Sequence, residues 1–169
     1  MNIIAQIIGF VGIAANALIY QQNSRLEILR MKLISDLLWA VHYYMIGAYS
    51  AMAIACIGIM REFVFIKRKR RASLIIFLIL SFGSAILTWN GYSSLLPSIA
   101  SAASVISFYI GKSEITRIMS FPISGCMGTY SALNGSVAGV VNELLTVTSS
   151  IVALARSRGK RENQTVELK

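Results

Sequence analysis

Charge is scarce in this sequence. Charged residues occupy 14% of its 169 positions, against about 25% in a soluble domain, so water is a poor solvent for the chain. Acidic residues are scarcer than basic ones, seven Asp and Glu against sixteen Lys and Arg. Cysteine occurs only at Cys56 and Cys126, both inside apolar runs. That argues against a disulfide framework and leaves no metal-ligand spacing, so both read as small packing residues and no metal site is expected. No Walker loop, HExxH or nucleophile elbow is present, so ATP coupling and hydrolysis find no support, and no cofactor and no enzymatic activity are expected. A basic n-region and a small-residue cleavage site near Tyr20 are also missing, so the first apolar segment is expected to be retained.

What the chain has instead is apolar length. The apolar set supplies 56% of its residues, arranged in seven runs near the 17 to 25 residues, about 20 on average, that cross a bilayer. These runs are 3–20, 29–47, 48–66, 72–89, 95–111, 115–133 and 136–155. The expected fold is an all-α membrane protein of seven transmembrane helices, with no room for a soluble domain. The bilayer is its first partner.

The basic residues alternate by connection. Arg25, Arg30 and Lys32 follow the first segment; Arg61 and the run 67–71 follow the third; Lys112 and Arg117 follow the fifth; Arg156, Arg158, Lys160, Arg161 and Lys169 follow the seventh. The remaining connections hold no Lys or Arg. Basic residues stay on the cytoplasmic side during insertion, so the pattern predicts an outside N-terminus and a cytoplasmic C-terminus. The run 67–71 has no interleaved aromatics to stack bases, so it reads as topogenic and no nucleic-acid partner is expected. The sequon at Asn163 falls on the same cytoplasmic tail and carries no weight.

An offset of 88 residues lays segments one to three over segments five to seven. Met31 meets Met119, Gly47 meets Gly135, Arg68 meets Arg156 and Arg70 meets Arg158. Each half has a charged first connection, an uncharged tight second one and a basic end. Three helices, a linker helix and three more give halves of the same orientation, a 3+1+3 parallel repeat. The expected units are 1–71, a linker helix at 72–90, 91–159, and a cytoplasmic tail at 160–169. Small residues at Gly47, Ala51 and Ala55, matched by Gly135 and Gly139, predict tight packing of the third and seventh helices near their outer ends.

This layout resembles the SWEET and PQ-loop class of small transporters. Further residues, His42-Tyr43-Tyr44-Met45-Ile46-Gly47 with Arg61, Leu95-Leu96-Pro97, and Asn134-Gly135-Ser136 with Gly139 and Glu143, resemble the YgjV-like family of bacterial inner-membrane proteins. That resemblance implies a bacterial inner (plasma) membrane and a SWEET-like fold, and it implies no substrate. The PQ dipeptide is absent; Pro97 and Pro122 both lie in the second half.

Ionisable side chains at membrane depth need protein or water around them, so they mark candidate sites. Asp36, Trp39 and His42 are spaced by three and share an arc of about 120°. The repeat sets His42 opposite Tyr130. Trp39, His42, Tyr130, Asn142 and Glu143 are the candidate solute-binding residues, and Asn142 and Glu143 can equally hold helices together. His42 can also sit hydrated at the interface. Tyr43, Tyr44 and Tyr49 suit the headgroup belt. Candidate gating residues are Asp36 and Arg61, expected to pair across neighbouring helices, with Arg61 also able to snorkel. Pro122, in a helix with nearby glycines, is the candidate hinge. The function these residues point to is a multi-pass carrier or facilitator of a small polar solute (sugar-like, amino acid or vitamin), working by alternating access. The alternatives are a structural or regulatory membrane protein and, behind it, a membrane enzyme using His42 and Asp36. Two repeats in one chain complete a pathway without a second copy, while a homo-oligomer stays possible.

Overall fold

In the computed structural model the described residues are 3–19, 21–67 and 70–167, with side chains at all of these except 3, 6 and 158–167. They form seven helices: α1 (Ile3–Ile19), α2 (Arg25–Met45), α3 (Tyr49–Lys67), α4 (Arg71–Leu87), α5 (Leu95–Ile110), α6 (Ser113–Leu133) and α7 (Val137–Glu167). A short 3-10 turn, Tyr92–Ser94, leads into α5. Helix ends lie close to the expected ones except at α7, whose backbone continues helical to Glu167 through most of the expected tail. Arg68 and Lys69 of the basic run lie outside the described residues.

Three helices meet both length and hydropathy for a span: Tyr49–Lys67, Tyr92–Ile110 and Val137–Ser157. The apolar helix Arg71–Leu87 and the apolar stretch Ile7–Ile19 of α1 are shorter, and α2 and α6, 21 residues each, open with charged turns.

Neighbours in sequence pack on one another, and two further seams, α1 on α7 and α3 on α5, close a ring of six helices. Helix α4 stands outside this ring, against α3 and α5. It buries Phe77, Ser81, Ser84 and Ala85, and the Ser81 and Ser101 hydroxyls meet at 2.7 Å. Its other face exposes Ile75, Ile79, Phe82 and Ile86. That helix is apolar toward its surroundings and hydroxylated toward its partners.

Both closing seams join parallel helices. Along α1 and α7, Asn16 bonds Asn142 and Thr146, Ala17 accepts from Ser149, and Gln21 reaches Ser149 and Arg156. Along the other seam Ser50 meets Ser94, and the Arg61 guanidinium lies 5.0 Å over the Phe108 ring. Partner numbers rise together in each case.

The offset of 88 recurs in the backbone. Helices α2 and α6 begin 88 residues apart and have equal length, and α3 and α7 also begin 88 apart. Between α2 and α3, the amides of Ile46, Gly47 and Ala48 bond the carbonyls of His42, Tyr44 and Tyr43. Between α6 and α7, Asn134, Gly135 and Ser136 bond Tyr130, Ala132 and Ser131 in the same order. Gly47 at φ 74° and Gly135 at φ 67° occupy the left-handed region that each turn requires. The small-residue faces are used within each half: Ala51 lies in a cluster with Trp39 and Tyr43 of α2, and a β-carbon at Gly139 would overlap Ser131 of α6.

Two apolar clusters lie at different levels of the bundle, the first extending from the ring to α4 through Phe77. One gathers Ile28, Leu29, Phe65, Phe77, Val105 and Phe108 toward the basic end. The other gathers Ile13, Trp39, Tyr43, Ala51, Tyr130 and Ala138 toward the uncharged turns. Arg117 of α6 grips the first connection, donating to the Gln22 carbonyl and the Asn23 side chain.

Candidate functional site

Inside the ring lies a cavity of about 90 Å³ to which all six ring helices contribute and α4 does not. At about 10–15 Å³ for each water centre it has room for several waters or one small solute. Its wall runs from Lys32 to Tyr43 on α2, roughly 16 Å at about 1.5 Å per residue, so the cavity is a narrow slot along the bundle axis.

The end near the basic connections is charged. Lys32 and Asp36, one turn apart on α2, form an ion pair. Arg61 is 2% exposed and donates through Nε and Nη2 to Oε1 of Glu62, at 3.1 and 2.6 Å. The expected pairing of Arg61 with Asp36 is therefore replaced by two local pairs. Each base takes a carboxylate within reach on its own helix, Lys32 the one four residues on, at the spacing of a helical ion pair, and Arg61 its neighbour Glu62. Arg61 also points inward to Phe108 instead of snorkelling. The Asp36 carboxylate presses on Gly58 of α3, where a β-carbon would overlap it.

On the α1 and α7 side of the wall, Asn16 donates to Asn142 Oδ1 at 3.0 Å and Thr146 Oγ1 at 2.9 Å. Asn142 in turn donates to Glu143 Oε1 at 2.9 Å. Trp39 and Tyr43 continue the α2 wall beyond Asp36 toward the uncharged turn, their ring centroids 5.4 Å apart. Tyr43 is buried there and not at a headgroup belt, while Tyr44 and Tyr49 are exposed.

The expected site residues thus divide. Trp39, Asn142 and Glu143 line the cavity, as do Asp36 and Arg61. His42 does not: it is fully buried, with Nδ1 at 2.9 Å from the Ala5 carbonyl and Nε2 at 3.2 Å from Ser136 Oγ. Both ring nitrogens are engaged between helices, so the hydrated-interface reading of His42 fails as well. Tyr130 is buried in the apolar cluster beside the cavity. Pro122 is exposed on the outer face of α6.

Asn16 and Lys32 line the cavity without being among the expected site residues. Asn16 is one of two amides, with Gln6, in an apolar run. Lys32 counts with the first connection in the sequence, although its spacing of four from Asp36 is that of a helical ion pair. Glu62, next to Arg61 and so about 100° away on the helix, is expected not to face it, yet the long guanidinium side chain reaches its carboxylate.

The two halves differ in charge at equivalent places. Across the offset of 88, Lys32, Asp36, Arg61 and Glu62 correspond to Ser120, Ser124, Ser149 and Ser150. Ser120 donates to Ser150 at 2.7 Å, where the first half has Lys32 and Glu62. In the reverse sense, Asn142 and Glu143 replace Ile54 and Ala55.

Among the described residues no group of His, Cys, Asp and Glu has the arrangement of a metal site. The family model described as Imp-YgjV, bacterial inner membrane protein, matches residues 3–161 of the chain. No curated protein and no solved structure matches it.

Proposed function

The chain belongs to the Imp-YgjV family of bacterial inner membrane proteins, and on that footing we propose that it is a carrier or facilitator of a small polar solute. In this reading it crosses the membrane seven times in a 3+1+3 SWEET-like arrangement, N-terminus outside and C-terminus cytoplasmic. The two three-helix halves rock about the cavity, with Pro122 as the hinge of α6.

The observation that carries the proposal is the polar slot walled by all six ring helices. A slot reaching from the charged end to the uncharged turns is what a solute crossing between halves requires. The repeated turn geometry and the parallel seams support a reading of two halves of like orientation around it. One chain furnishes the whole wall, so no second copy is needed. Trp39, Asn142 and Glu143 contact the solute, and the pairs Lys32–Asp36 and Arg61–Glu62 guard the cytoplasmic end. His42 and Tyr130 support the wall from behind.

A second reading, a structural or regulatory membrane protein, draws on the small volume of the cavity and on ion pairs closed within single helices. Uptake by proteoliposomes of a panel of neutral, zwitterionic, anionic and cationic small solutes separates the two. The carrier reading expects saturable uptake of at least one class, abolished by Asn142→Leu. Uptake equal to that of empty liposomes for every class overturns it.

A further inference from the structure

The cavity and its border hold an odd number of charges, and the odd one is Glu143. Lys32 is matched by Asp36, and Arg61 by Glu62. Glu143 has no ion pair among the described residues; it accepts a hydrogen bond from the neutral amide of Asn142, and the nearby Lys32 is already paired with Asp36. Its own half offers no base at the equivalent places, because the counterparts of Lys32 and Arg61 are Ser120 and Ser149. The formal sum over these five side chains is one negative charge.

A lone carboxylate in a narrow interior slot is unfavourable unless it takes up a proton or a positive group joins it, and the aromatic rings beside it favour the second. Glu143 lies on the same cavity wall as Trp39 and Tyr43, and aromatic faces attract cations. Trp39, which lines the slot, also has a buried indole N–H beside Gly12 of α1 and without a hydrogen-bond partner, and an acceptor on the occupant would satisfy it. One positive charge, one acceptor and a volume of about 90 Å³ define the occupant.

We propose that Glu143, Trp39 and Tyr43 form a binding site for a small organic cation, an amine that also carries a hydroxyl or ether oxygen. The ammonium group donates to the Glu143 carboxylate, and its carbons lie against the two rings. The oxygen accepts from Trp39. The inference rests on the carrier reading for its biological meaning, but the binding site is defined independently of transport.

The test is a set of two-carbon probes that differ in charge: ethanolamine, glycine, ethylene glycol and glycolate, added to the purified full chain in detergent at constant ionic strength. Ethanolamine is expected to raise the Tm by about 4 °C or more at saturation, with half-saturation at least roughly tenfold below that of any other probe. Glu143→Gln, checked for retained helical content, is expected to erase that preference, and Glu143→Asp to keep part of it. Stabilisation by a neutral, zwitterionic or anionic probe in preference to ethanolamine overturns the inference and leaves the carrier reading standing. Stabilisation by sodium ion or by protons alone, lost in Glu143→Gln, overturns the organic cation in favour of an inorganic one. No effect of any probe overturns the site itself. Binding of ethanolamine with no uptake by proteoliposomes sustains the site and defeats the carrier reading.

Discussion

The carboxylate of Asp36 lies against Gly58 of the neighbouring helix so closely that no β-carbon fits between them. This contact lets α2 and α3 approach where the charged end of the cavity begins. It also explains why position 58 of α3 takes no side chain at all. The equivalent of Gly58 in the second half is Thr146, which instead bonds Asn16.

Gly58→Ala is therefore expected to push Asp36 away from its position beside Lys32 and to destabilise the bundle by about 1–3 kcal/mol, the range for overpacking. Gly125→Ala, with nothing within 4 Å of the added carbon, is the control and should leave the Tm unchanged or slightly raised. Thermal unfolding in detergent reads both.

Arg61 and Glu62 should show strong coupling. Removing either partner leaves a buried charge alone, a loss of about 3–5 kcal/mol. Replacing both by apolar residues of similar size should recover most of that loss. A double-mutant cycle over Arg61→Met and Glu62→Leu measures the interaction; losses that simply add would mean that the two side chains do not depend on each other.

His42 should matter to folding more than to any solute. His42→Ala removes one hydrogen bond each from the Ala5 carbonyl and the Ser136 hydroxyl, at about 0.5–1.5 kcal/mol per bond, the Ser136 hydroxyl still accepting from the Gly139 amide. The expected result is a lower Tm with the relative affinities for different solutes unchanged. A change in solute preference without a loss of stability would place His42 in the cavity after all.

Gly47 and Gly135 should behave as twins. Each sits at positive φ in the same hydrogen-bonded turn, so Gly47→Ala and Gly135→Ala should each cost about 1–2 kcal/mol. The two turns lie in different halves, and the double variant should show the sum. Unequal single effects would argue that the turns differ in strain.

The proposed seven-span topology makes a labelling prediction. In a background with Cys56 and Cys126 replaced by serine, a cysteine at Asn134 should react with an impermeant thiol reagent from outside intact cells. A cysteine at Arg70 should react only after the inner membrane is opened. The reverse pattern would invert the topology, and reaction of both from outside would break the span count.

Much of this architecture is legible in the residues. The seven apolar runs, the alternation of basic connections and the repeat at 88 residues are properties of order along the chain, and helix formation in an apolar segment depends on little else. The left-handed turns after α2 and α6 follow from Gly47 and Gly135 alone. The buried face of α2, with Asp36, Trp39 and His42 on it, follows from spacing by three.

Tertiary structure decided the rest. Periodicity says which residues share a face, but the rotation of each helix about its axis is set by how six helices close a ring. That rotation carries Asn16, Lys32 and Tyr43 to the cavity wall and holds His42 and Tyr130 behind it. Pairing among the charges departs from the expectation read from the sequence, which set Asp36 against Arg61 across neighbouring helices. Side-chain reach and the cost of desolvation within the packed bundle selected Lys32 for one and Glu62 for the other, leaving Glu143 as the carboxylate without a base.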